Sequence, residues 1–324
     1  MGVSERIKEI EAEMARTQKN KATEGHLGLL KARIAKLRAQ LYEAPKGAKT
    51  GEGFEVAKSG EARVVMIGFP SVGKSTILST VTTTESQCAA YEFTTLTCIP
   101  GVLKINDANI QLLDLPGIIE GAAQGKGRGR QVVAVAKSAD LILMVLDVTK
   151  AEEQKVKLTK ELEEVGIRLN RHPPQITIKQ KATGGVLVNS VCKLTKIKED
   201  TVRKVLHEYK IHNADVLFRE DGDVDDLIDI IEGNRKYVNC LYVYNKIDVI
   251  SLEETEHFAR TPSSVVISCN LKLNLDYMLE KIWDFLSLVR VYTKRRGQFP
   301  DFSDPLILTA GRHGCSVQGA VTQI

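Results

Sequence analysis

The amino-acid sequence predicts an α/β fold with a mostly parallel sheet, a helical hairpin before it and an α+β insertion within it. From residue 61 onwards, short apolar runs alternate with helical stretches. Buried strands that alternate with helices are typical of parallel sheets. Two helical stretches precede the first run, and one interval between runs is too long for a simple crossover. The composition, 43% hydrophobic and 27% charged, excludes a chain that is disordered throughout.

The first 42 residues carry two apolar stripes at helical spacing. One stripe extends from Val3 to Met14 and the other from Leu27 to Leu41, with apolar residues every three or four positions. A polar stretch connects them, and Gly25 and Gly28 disfavour helix at the start of the second stripe. We therefore predict a helical hairpin, whose stripes must be buried against another part of the protein.

Six apolar runs are predicted to form the main sheet: residues 63–67, 101–105, 109–113, 141–147, 240–244 and 264–268. Only three residues separate the second run from the third, so this pair is predicted to be a hairpin that makes one edge antiparallel. A helix over residues 272–288 is expected to close the main domain.

The interval between Asp147 and Asn245 contains 97 residues. A crossover connection needs only about a dozen residues. We assign residues 151–169 to the crossover helix and residues 170–238 to an insertion. The residues on the apolar face of that helix are Val156, Leu158, Leu162 and Val165. The insertion is predicted to be a small α+β subdomain, with strands near 175–181, 184–190, 192–197 and 214–218 and helices near 199–209 and 223–233.

The net charge of +4 is unevenly distributed along the chain. Residues 16–49 carry a net charge of +7, and residues 219–232 carry a net charge of −6. The basic segment is suited to binding RNA or an acidic protein, and the alternative is a solvated helix face. Six scattered cysteines without a CxxC pair predict a reduced, cytosolic protein. The longest wholly apolar run, Leu141–Leu146, is too short to span a membrane.

Residues 68–75, GFPSVGKS, match the phosphate-binding pattern GxxxxGK[ST] in full and lie between a predicted strand and a predicted helix at 76–82. In such a loop the backbone surrounds the phosphates, Lys74 places its charge at the β- and γ-phosphates, and Ser75 offers an oxygen to Mg²⁺. The predicted phosphate-binding residues are Gly68, Phe69, Pro70, Ser71, Val72, Gly73, Lys74, Ser75 and Thr76.

A second motif, Asp114-Leu115-Pro116-Gly117, follows the third run and is itself followed by Ile118. Asp114 is placed to hold Mg²⁺ through a water molecule, and the Gly117 N–H to sense the γ-phosphate. The same four residues also make a good turn, which is the structural alternative. We assign all five residues to the nucleotide site.

The third motif, Asn245-Lys246-Ile247-Asp248, follows the fifth run. The Asp248 carboxylate can accept hydrogen bonds from two adjacent guanine donors, and adenine offers no such pair. Ser268 and Cys269, at the end of the sixth run, are predicted to add backbone N–H contacts to the base. Ligands of open α/β sheets bind at the strand ends where these motifs lie. The motif disfavours an adenine-specific ATPase, which is the alternative.

The ordered set GFPSVGKST, YEFTT, DLPGIIEGA, YNKID and ISC resembles the Obg-type translational GTPases. The stretches ARTQKNKATEGHLGLLKA, DLPGIIEGAAQGKGRGRQV, LHEYKI and YTKRRGQFPDF resemble the developmentally regulated GTP-binding protein (DRG) family, and its second paralogue type in particular. The resemblance covers residues 1–308.

The resemblance implies a P-loop G domain over residues 59–289, interrupted by a ribosomal-S5-domain-2-like insertion at 170–238. Residues 1–58 would form a helix-turn-helix-like N-terminal domain with its linker. A TGS domain, which is a small β-grasp module, would begin at residue 290. Residues 290–324 are expected to be too few to complete it.

The resemblance also implies further site residues. Thr95 in the YEFTT segment would bind Mg²⁺ with Ser75 and Asp114, and would act in catalysis with Lys74 and Gly117. Lys21 matches a lysine that a Jumonji-type oxygenase hydroxylates in this family.

The implied cofactors are GTP or GDP and Mg²⁺. A monovalent cation such as K⁺ is left open, because Ser71 stands where many K⁺-dependent relatives have Asn. The implied partners are a DRG-family regulatory protein and the ribosome or its RNA, without DNA or a membrane span. The implied location is the cytoplasm, with a share in the nucleus.

We therefore expect a switch protein that binds GTP and hydrolyses it slowly, because Ile118 stands where many GTPases have the Gln that orients water. The alternative is a GTP-gated binding module whose hydrolysis is incidental. The glycine-rich segment 121–131 is expected to be a switch surface that meets a partner or RNA. Its alternative use is as an internal arginine finger through Arg128 or Arg130.

Overall fold

The computed structural model describes residues 2–20, 23–42, 60–82, 99–115, 128–292, 294, 296–297, 299, 302 and 305–309. The chain forms two compact units. The first comprises Met1–Gly51 and Glu164–Tyr237, and the second comprises Glu52–Glu163 and Val238–Ile324. We name them the insertion unit and the G unit. The domain boundaries at 58, 170, 238 and 290 stay predictions.

The helices are α1 (Val3–Arg16), α2 (Glu24–Tyr42), α3 (Lys74–Val81), α4 (Arg128–Ser138), α5 (Ala151–Glu164), α6 (Glu199–Glu208), α7 (Val224–Glu232), α8 (Leu252–Ala259) and α9 (Leu275–Leu286). The strands are β1 (Ala62–Ile67), β2 (Ile99–Ile105), β3 (Ala108–Asp114), β4 (Leu141–Asp147), β5 (Ile167–Leu169), β6 (Ile176–Gln180), β7 (Val186–Ser190), β8 (Ala214–Phe218), β9 (Lys236–Asn245), β10 (Ser264–Val266), β11 (Leu288–Val291) and β12 (Leu306–Thr309).

The sheet of the G unit has the strand order β10-β9-β4-β1-β3-β2. Every neighbouring pair is parallel except β2 with β3, which form the predicted antiparallel hairpin. Five of the six apolar runs lie wholly within these strands, and the sixth begins in β10, which ends at Val266. The predicted α/β class with its mostly parallel sheet is therefore confirmed. The two central strands β1 and β4 are buried almost throughout, because a parallel sheet is covered on both faces.

Helix α9 confirms the helix predicted over residues 272–288. Its buried residues Met278, Ile282 and Leu286 recur at helical spacing and join the apolar core of the sheet. The same core takes Leu288 from β11 and Ile307 from β12, which pair as an antiparallel ribbon. Residues 310–324 lie outside the described part of the chain.

The crossover helix is shorter than predicted. Helix α5 ends at Glu164, and Gly166 then adopts a left-handed backbone with φ +87°, which ends the helix. Residues 167–169 form strand β5 instead of the last helical turn. The assignment of Val156 to the apolar face is also wrong, because 65% of this residue is exposed.

The insertion unit has a small mixed sheet with the order β6-β8-β7. Its core combines Val205 and Leu206 of α6 and Leu227 of α7 with strand residues, and it also contains Ala32 and Ala35 of α2. The second helix of the N-terminal hairpin thus buries its apolar side against the insertion. Within this unit the strands predicted near 175–181, 184–190 and 214–218 are confirmed as β6, β7 and β8, and both predicted helices are confirmed as α6 and α7.

Two local predictions in the insertion unit are wrong. Gly25 and Gly28 lie inside α2, because a Cβ at Gly28 would come within 3.1 Å of the Thr201 Cγ2 atom and glycine permits this close approach. Residues 192–197 form no strand. In this segment the Thr195 N–H donates to the Asp221 carboxylate at 2.9 Å, and Ile197 is buried in the core.

The basic side chains of α2 face acidic groups of their own unit. Lys31 pairs with Asp225 at 2.5 Å, Arg33 with Glu208 at 3.3 Å, and Arg38 with Glu11 at 2.9 Å. These pairs are partly exposed, so each is worth about 1 kcal/mol or less. Of these three pairs, Lys31–Asp225 joins the basic segment 16–49 to the acidic segment 219–232, and the other two pairs use acidic residues from elsewhere in the unit. An RNA contact stays a prediction.

No helix among the described residues is both long enough and apolar enough to cross a membrane.

Candidate nucleotide-binding site

The predicted motifs lie at the carboxyl edge of the parallel sheet. The loop after β1 carries GFPSVGKS, Asp114 ends β3, and Asn245 ends β9. The register aligns these ends, because Met66 lies opposite Asp114 and Asp147 lies opposite Asn245. This edge is where open α/β sheets bind their ligands.

The phosphate-binding loop has no room for side chains at two of its glycines. A Cβ at Gly68 would lie 2.4 Å from the Val145 carbonyl oxygen, and one at Gly73 would lie 2.3 Å from Asn245 Nδ2. Gly73 also has φ +100° and caps α3, which begins at Lys74 and not at the predicted Thr76. The backbone N–H groups of the loop and the first turn of α3 form an anion-binding end of a helix.

Replacing Gly73 with Ala is expected to weaken GTP binding at least tenfold and to lower the free energy of unfolding by about 2–4 kcal/mol, from backbone strain plus the clash with Asn245. Gly184→Ala is the matched control, because Gly184 has φ +105° and a Cβ at this position would meet no atom of the described residues within 4 Å. It should cost only about 1 kcal/mol and leave GTP affinity unchanged. Calorimetric titration and chemical unfolding measure both quantities, and equal effects of the two substitutions would contradict the clash.

Lys74 is directed back across its own loop. Its ammonium donates to the carbonyl oxygens of Gly68 and Phe69, each at 3.0 Å. Burial lowers the pKa of Lys74, and the nearby Asp114 carboxylate opposes this effect. A partly buried cation at a helix N-terminus has the charge and position needed to contact a phosphate.

The proposed Mg²⁺ residues Ser75 and Asp114 are adjacent. The Ser75 hydroxyl donates to Asp114 Oδ2 at 2.9 Å. The other carboxylate oxygen, Oδ1, is buried without a hydrogen-bond partner among the described residues. Buried polar atoms are nearly always satisfied, and a carboxylate beside a hydroxyl suits a hydrated Mg²⁺ ion. The residues therefore fit this metal.

Asn245 connects the phosphate loop to the loop after β10. Its side chain is buried, donates from Nδ2 to the Val72 carbonyl at 2.8 Å, and accepts at Oδ1 from the backbone N–H groups of Lys246 at 2.8 Å and Cys269 at 3.1 Å. Each of these bonds fixes one loop of the site. The sequence identifies the motif that contains Asn245, but it does not reveal the bonds to Val72 and Cys269, because these two residues lie far away in the chain.

Asp248 is held by Ser268, whose hydroxyl donates to Asp248 Oδ1 at 2.6 Å. The carboxylate is exposed, so it remains accessible to a base. The backbone N–H groups of Ser268 and Cys269 donate to the Leu273 carbonyl and to Asn245, respectively. This arrangement differs from the prediction that these two N–H groups contact the base. Ser268 instead orients the carboxylate that is predicted to read it.

Leu115 and Cys269 have buried side chains. The Leu115 side chain is buried and its N–H donates to the Met66 carbonyl at 3.3 Å. Cys269 is also buried, which raises the pKa of its thiol. Ile247 is partly buried in the turn that carries Asp248.

Several predicted residues lie outside the described part of the chain: Lys21, Thr95, Pro116, Gly117 and Ile118. The switch segment at 121–131 is described only from Arg128, where α4 begins, and the side chains of Arg128 and Arg130 are not among the described atoms.

One further residue of the site was not predicted. Asp147, the last residue of β4, accepts a hydrogen bond from the Lys246 ammonium at 2.7 Å. The only signal in the sequence is an acidic residue that ends an apolar run.

The chain is similar to several known proteins. Residues 63–181 match a family model described as "50S ribosome-binding GTPase", and residues 183–288 match one described as "C-terminal region of MMR_HSR1 domain". The FeoB G-domain of Methanococcus jannaschii is a distant structural likeness, at 16% identity and a TM-score of 0.36, which covers 68% of this chain and 94% of that one.

Two curated relatives are much more similar. Developmentally-regulated G-protein 2 of Arabidopsis thaliana is 64% identical over 325 residues, which cover 100% of this chain and 82% of the relative. Developmentally-regulated GTP-binding protein 2 of Homo sapiens is 65% identical over 319 residues, which cover 98% of this chain and 87% of the relative. With this identity over nearly its whole length and a complete phosphate-binding loop, the chain belongs to the developmentally regulated GTP-binding protein family.

Proposed function

We propose that this protein is a cytoplasmic GTP-dependent switch that binds GTP and GDP with Mg²⁺, hydrolyses GTP slowly and acts at the ribosome. The observation that carries the nucleotide site is the hydrogen-bond path from Val72 through Asn245 to Cys269, beside the Ser268–Asp248 pair. This path joins the phosphate loop to the base-reading loop as one binding surface.

In this proposal the phosphate half of the site acts through charge. The Lys74 ammonium exchanges its bonds to the loop carbonyls for the β- and γ-phosphate oxygens, and the N–H groups at the start of α3 add to it. Ser75 and Asp114, with Thr95 as a further ligand, would hold Mg²⁺, and the bound ion would supply positive charge beside the phosphates. Gly117 reports the γ-phosphate to the following switch segment.

The base half of the site acts through hydrogen bonds. The exposed Asp248 carboxylate accepts from the two adjacent N–H donors of guanine, and Ser268 holds the carboxylate in position. Adenine would leave this charge unpaired, so a site of this kind rejects it strongly.

Slow turnover follows in this proposal from Ile118, because an aliphatic side chain cannot orient the attacking water. The test is to measure GTP turnover with and without ribosomes, each in Na⁺ and in K⁺. It measures the basal rate, the effect of ribosomes on that rate, and whether turnover depends on K⁺. We expect a low basal rate that ribosomes raise. A basal rate that ribosomes do not change would support the other candidate, a GTP-gated binding module whose hydrolysis is incidental.

The ribosomal assignment has support from the family model described as a ribosome-binding GTPase. Co-sedimentation with ribosomes in GDP and in a non-hydrolysable GTP analogue tests it, and we expect stronger association with the analogue. Equal sedimentation in both nucleotides, or none in either, would contradict a GTP-dependent switch at the ribosome. A DRG-family regulatory protein as a stabilising partner and a nuclear share of the protein are parts of the same proposal.

The basic residues of α2 give this proposal a sharper test. Replacing Lys31, Arg33, Lys36 and Arg38 with Gln keeps helix propensity and removes the charges. If they contact RNA, ribosome association should weaken and become less sensitive to salt, because fewer counterions are released. If they serve only their acidic neighbours, association is unchanged and unfolding free energy falls by about 1–3 kcal/mol. GTP affinity should be unaffected in either case.

A further inference from the structure

Hydrogen bonds hold both the backbone and the side chain of the acidic residue Asp147. Asp147 is the last residue of β4 and lies opposite Asn245 of β9. Its backbone N–H donates to Gln154 Oε1 at 3.0 Å, and its side chain is mostly buried. Its Oδ1 atom accepts from the Thr149 backbone N–H at 3.0 Å and from the Thr149 hydroxyl at 2.7 Å. These bonds occupy Oδ1 and leave Oδ2 directed to another partner.

That partner is the Lys246 ammonium, 2.7 Å from Oδ2. Lys246 has a left-handed backbone with φ +69°, and its N–H donates to Asn245 Oδ1. It lies between Asn245, which binds the phosphate loop, and Asp248, which is held by Ser268. With its ammonium held at Asp147, the Lys246 side chain links the turn after β9, which also carries Asp248, to the end of β4.

The ion pair is unlike the exposed pairs on the helices. Side-chain exposure is 16% for Asp147 and 40% for Lys246, whereas both members of the Glu153–Lys157 pair on α5 are more than half exposed. Burial alone would raise the pKa of Asp147, but the hydrogen bonds from Lys246 and Thr149 outweigh it and lower the pKa. The carboxylate is therefore charged at neutral pH. It forms a partly buried ion pair with Lys246, in contrast to the solvent-exposed pair on α5.

We propose that Asp147 is a positioning residue for guanine binding, which acts through Lys246 by holding its side chain against the base half of the site. This inference rests on the proposed guanine site at Asp248. It predicts that replacing Asp147 weakens the binding of nucleotides, which carry a base, but not the binding of phosphates alone. It also predicts that this replacement has no further effect on affinity when Lys246 has lost its ammonium.

The test is a double-mutant cycle on nucleotide affinity. Calorimetric titration with GTP and GDP is made on the wild-type chain, Asp147→Asn, Lys246→Met and the double variant. Asp147→Asn should weaken both nucleotides by the same factor, about five- to tenfold. The double variant should bind no more weakly than Lys246→Met alone, because the two residues act as one unit. Glu153→Gln, which breaks the exposed pair on α5, should leave both affinities unchanged.

Inorganic tripolyphosphate, which has no base, separates positioning from general damage. Its affinity should be the same for the wild-type chain and Asp147→Asn. A loss of tripolyphosphate binding, additive losses in the cycle, or an Asp147→Asn variant with wild-type GTP affinity would each overturn the inference. If the wild-type chain fails to bind GTP, the proposed nucleotide site itself is wrong, so the two failures are distinguishable.

Discussion

Replacing Lys74 with Ala is expected to weaken GTP binding by a few hundredfold. Among the described residues the ammonium bonds to the carbonyls of Gly68 and Phe69, each 3.0 Å away. Phosphate oxygens are stronger acceptors for a cation than neutral carbonyls are. Loss of charge-assisted bonds to two phosphates costs about 3–4 kcal/mol, since each is worth about 1.5–3 kcal/mol. Calorimetric titration with GTP and Mg²⁺ measures the loss.

Two companion variants sharpen this experiment. Ser75→Ala removes the hydroxyl that bonds Asp114, and it should lower GTP affinity in Mg²⁺ far more than in EDTA. Ser79→Ala is the matched control on the same helix, because the Ser79 hydroxyl is exposed and bonds only to the Thr76 carbonyl among the described residues. Unchanged affinity in both Lys74→Ala and Ser75→Ala would refute the phosphate site.

The second large effect is expected from Asp248→Asn, which should change the preferred base. Guanine offers two adjacent N–H donors to the carboxylate, and an amide at this position can accept only one of them. We expect GTP affinity to fall by about a thousandfold, within the range known for sites that read a base or side chain by buried hydrogen bonds. Xanthosine triphosphate should gain affinity, because xanthine has a carbonyl where guanine has the amine and the amide N–H can donate to it.

Competition between GTP and xanthosine triphosphate measures this change in preference. Asp276→Asn serves as the control, since it removes an acidic charge from the first turn of α9 outside the base-reading turn. Ser268→Ala should give a smaller change in the same direction, because it removes only the hydroxyl at 2.6 Å that orients Asp248. A variant that still prefers GTP as strongly as the wild-type chain would show that Asp248 does not read the base.

The central strands could be predicted because buried strands are recognisable in the sequence as continuous apolar runs. A strand such as β4 is apolar along nearly its whole length, since helices cover both faces of a parallel sheet. Strand β5 could not be recognised, because it has three residues directly after a helix and is marked only by Gly166. Residues 192–197 show the opposite error, where an alternating pattern belongs to a loop whose Ile197 fills the core.

The packing of α2 illustrates what helical periodicity leaves open. The stripe from Leu27 to Leu41 indicates that one side is buried, but it does not say against what. In the structure the partner is the insertion, more than 130 residues later, and Gly28 permits the close approach. Opposite charges at 16–49 and 219–232 are visible in the sequence, but their mutual pairing depends on this packing and could not be inferred before it was known.

The site motifs were recognisable for a different reason. The phosphate loop and the Asn245–Asp248 motif are short segments in which local backbone geometry sets the chemistry, so residue types and spacing are enough. The hydrogen bonds that join them are long-range. Asn245 to Val72 and Lys246 to Asp147 depend on which strands become neighbours, and that order is a property of the folded sheet.

The most direct test of the central claim is a calorimetric titration of the full chain with GTP, GDP and ATP in the presence of Mg²⁺. One surface that joins the phosphate loop to Asp248 predicts a single site that binds GTP and GDP and discriminates against ATP by about a thousandfold or more. Binding of ATP within tenfold of GTP, or binding of neither GTP nor GDP, would contradict it.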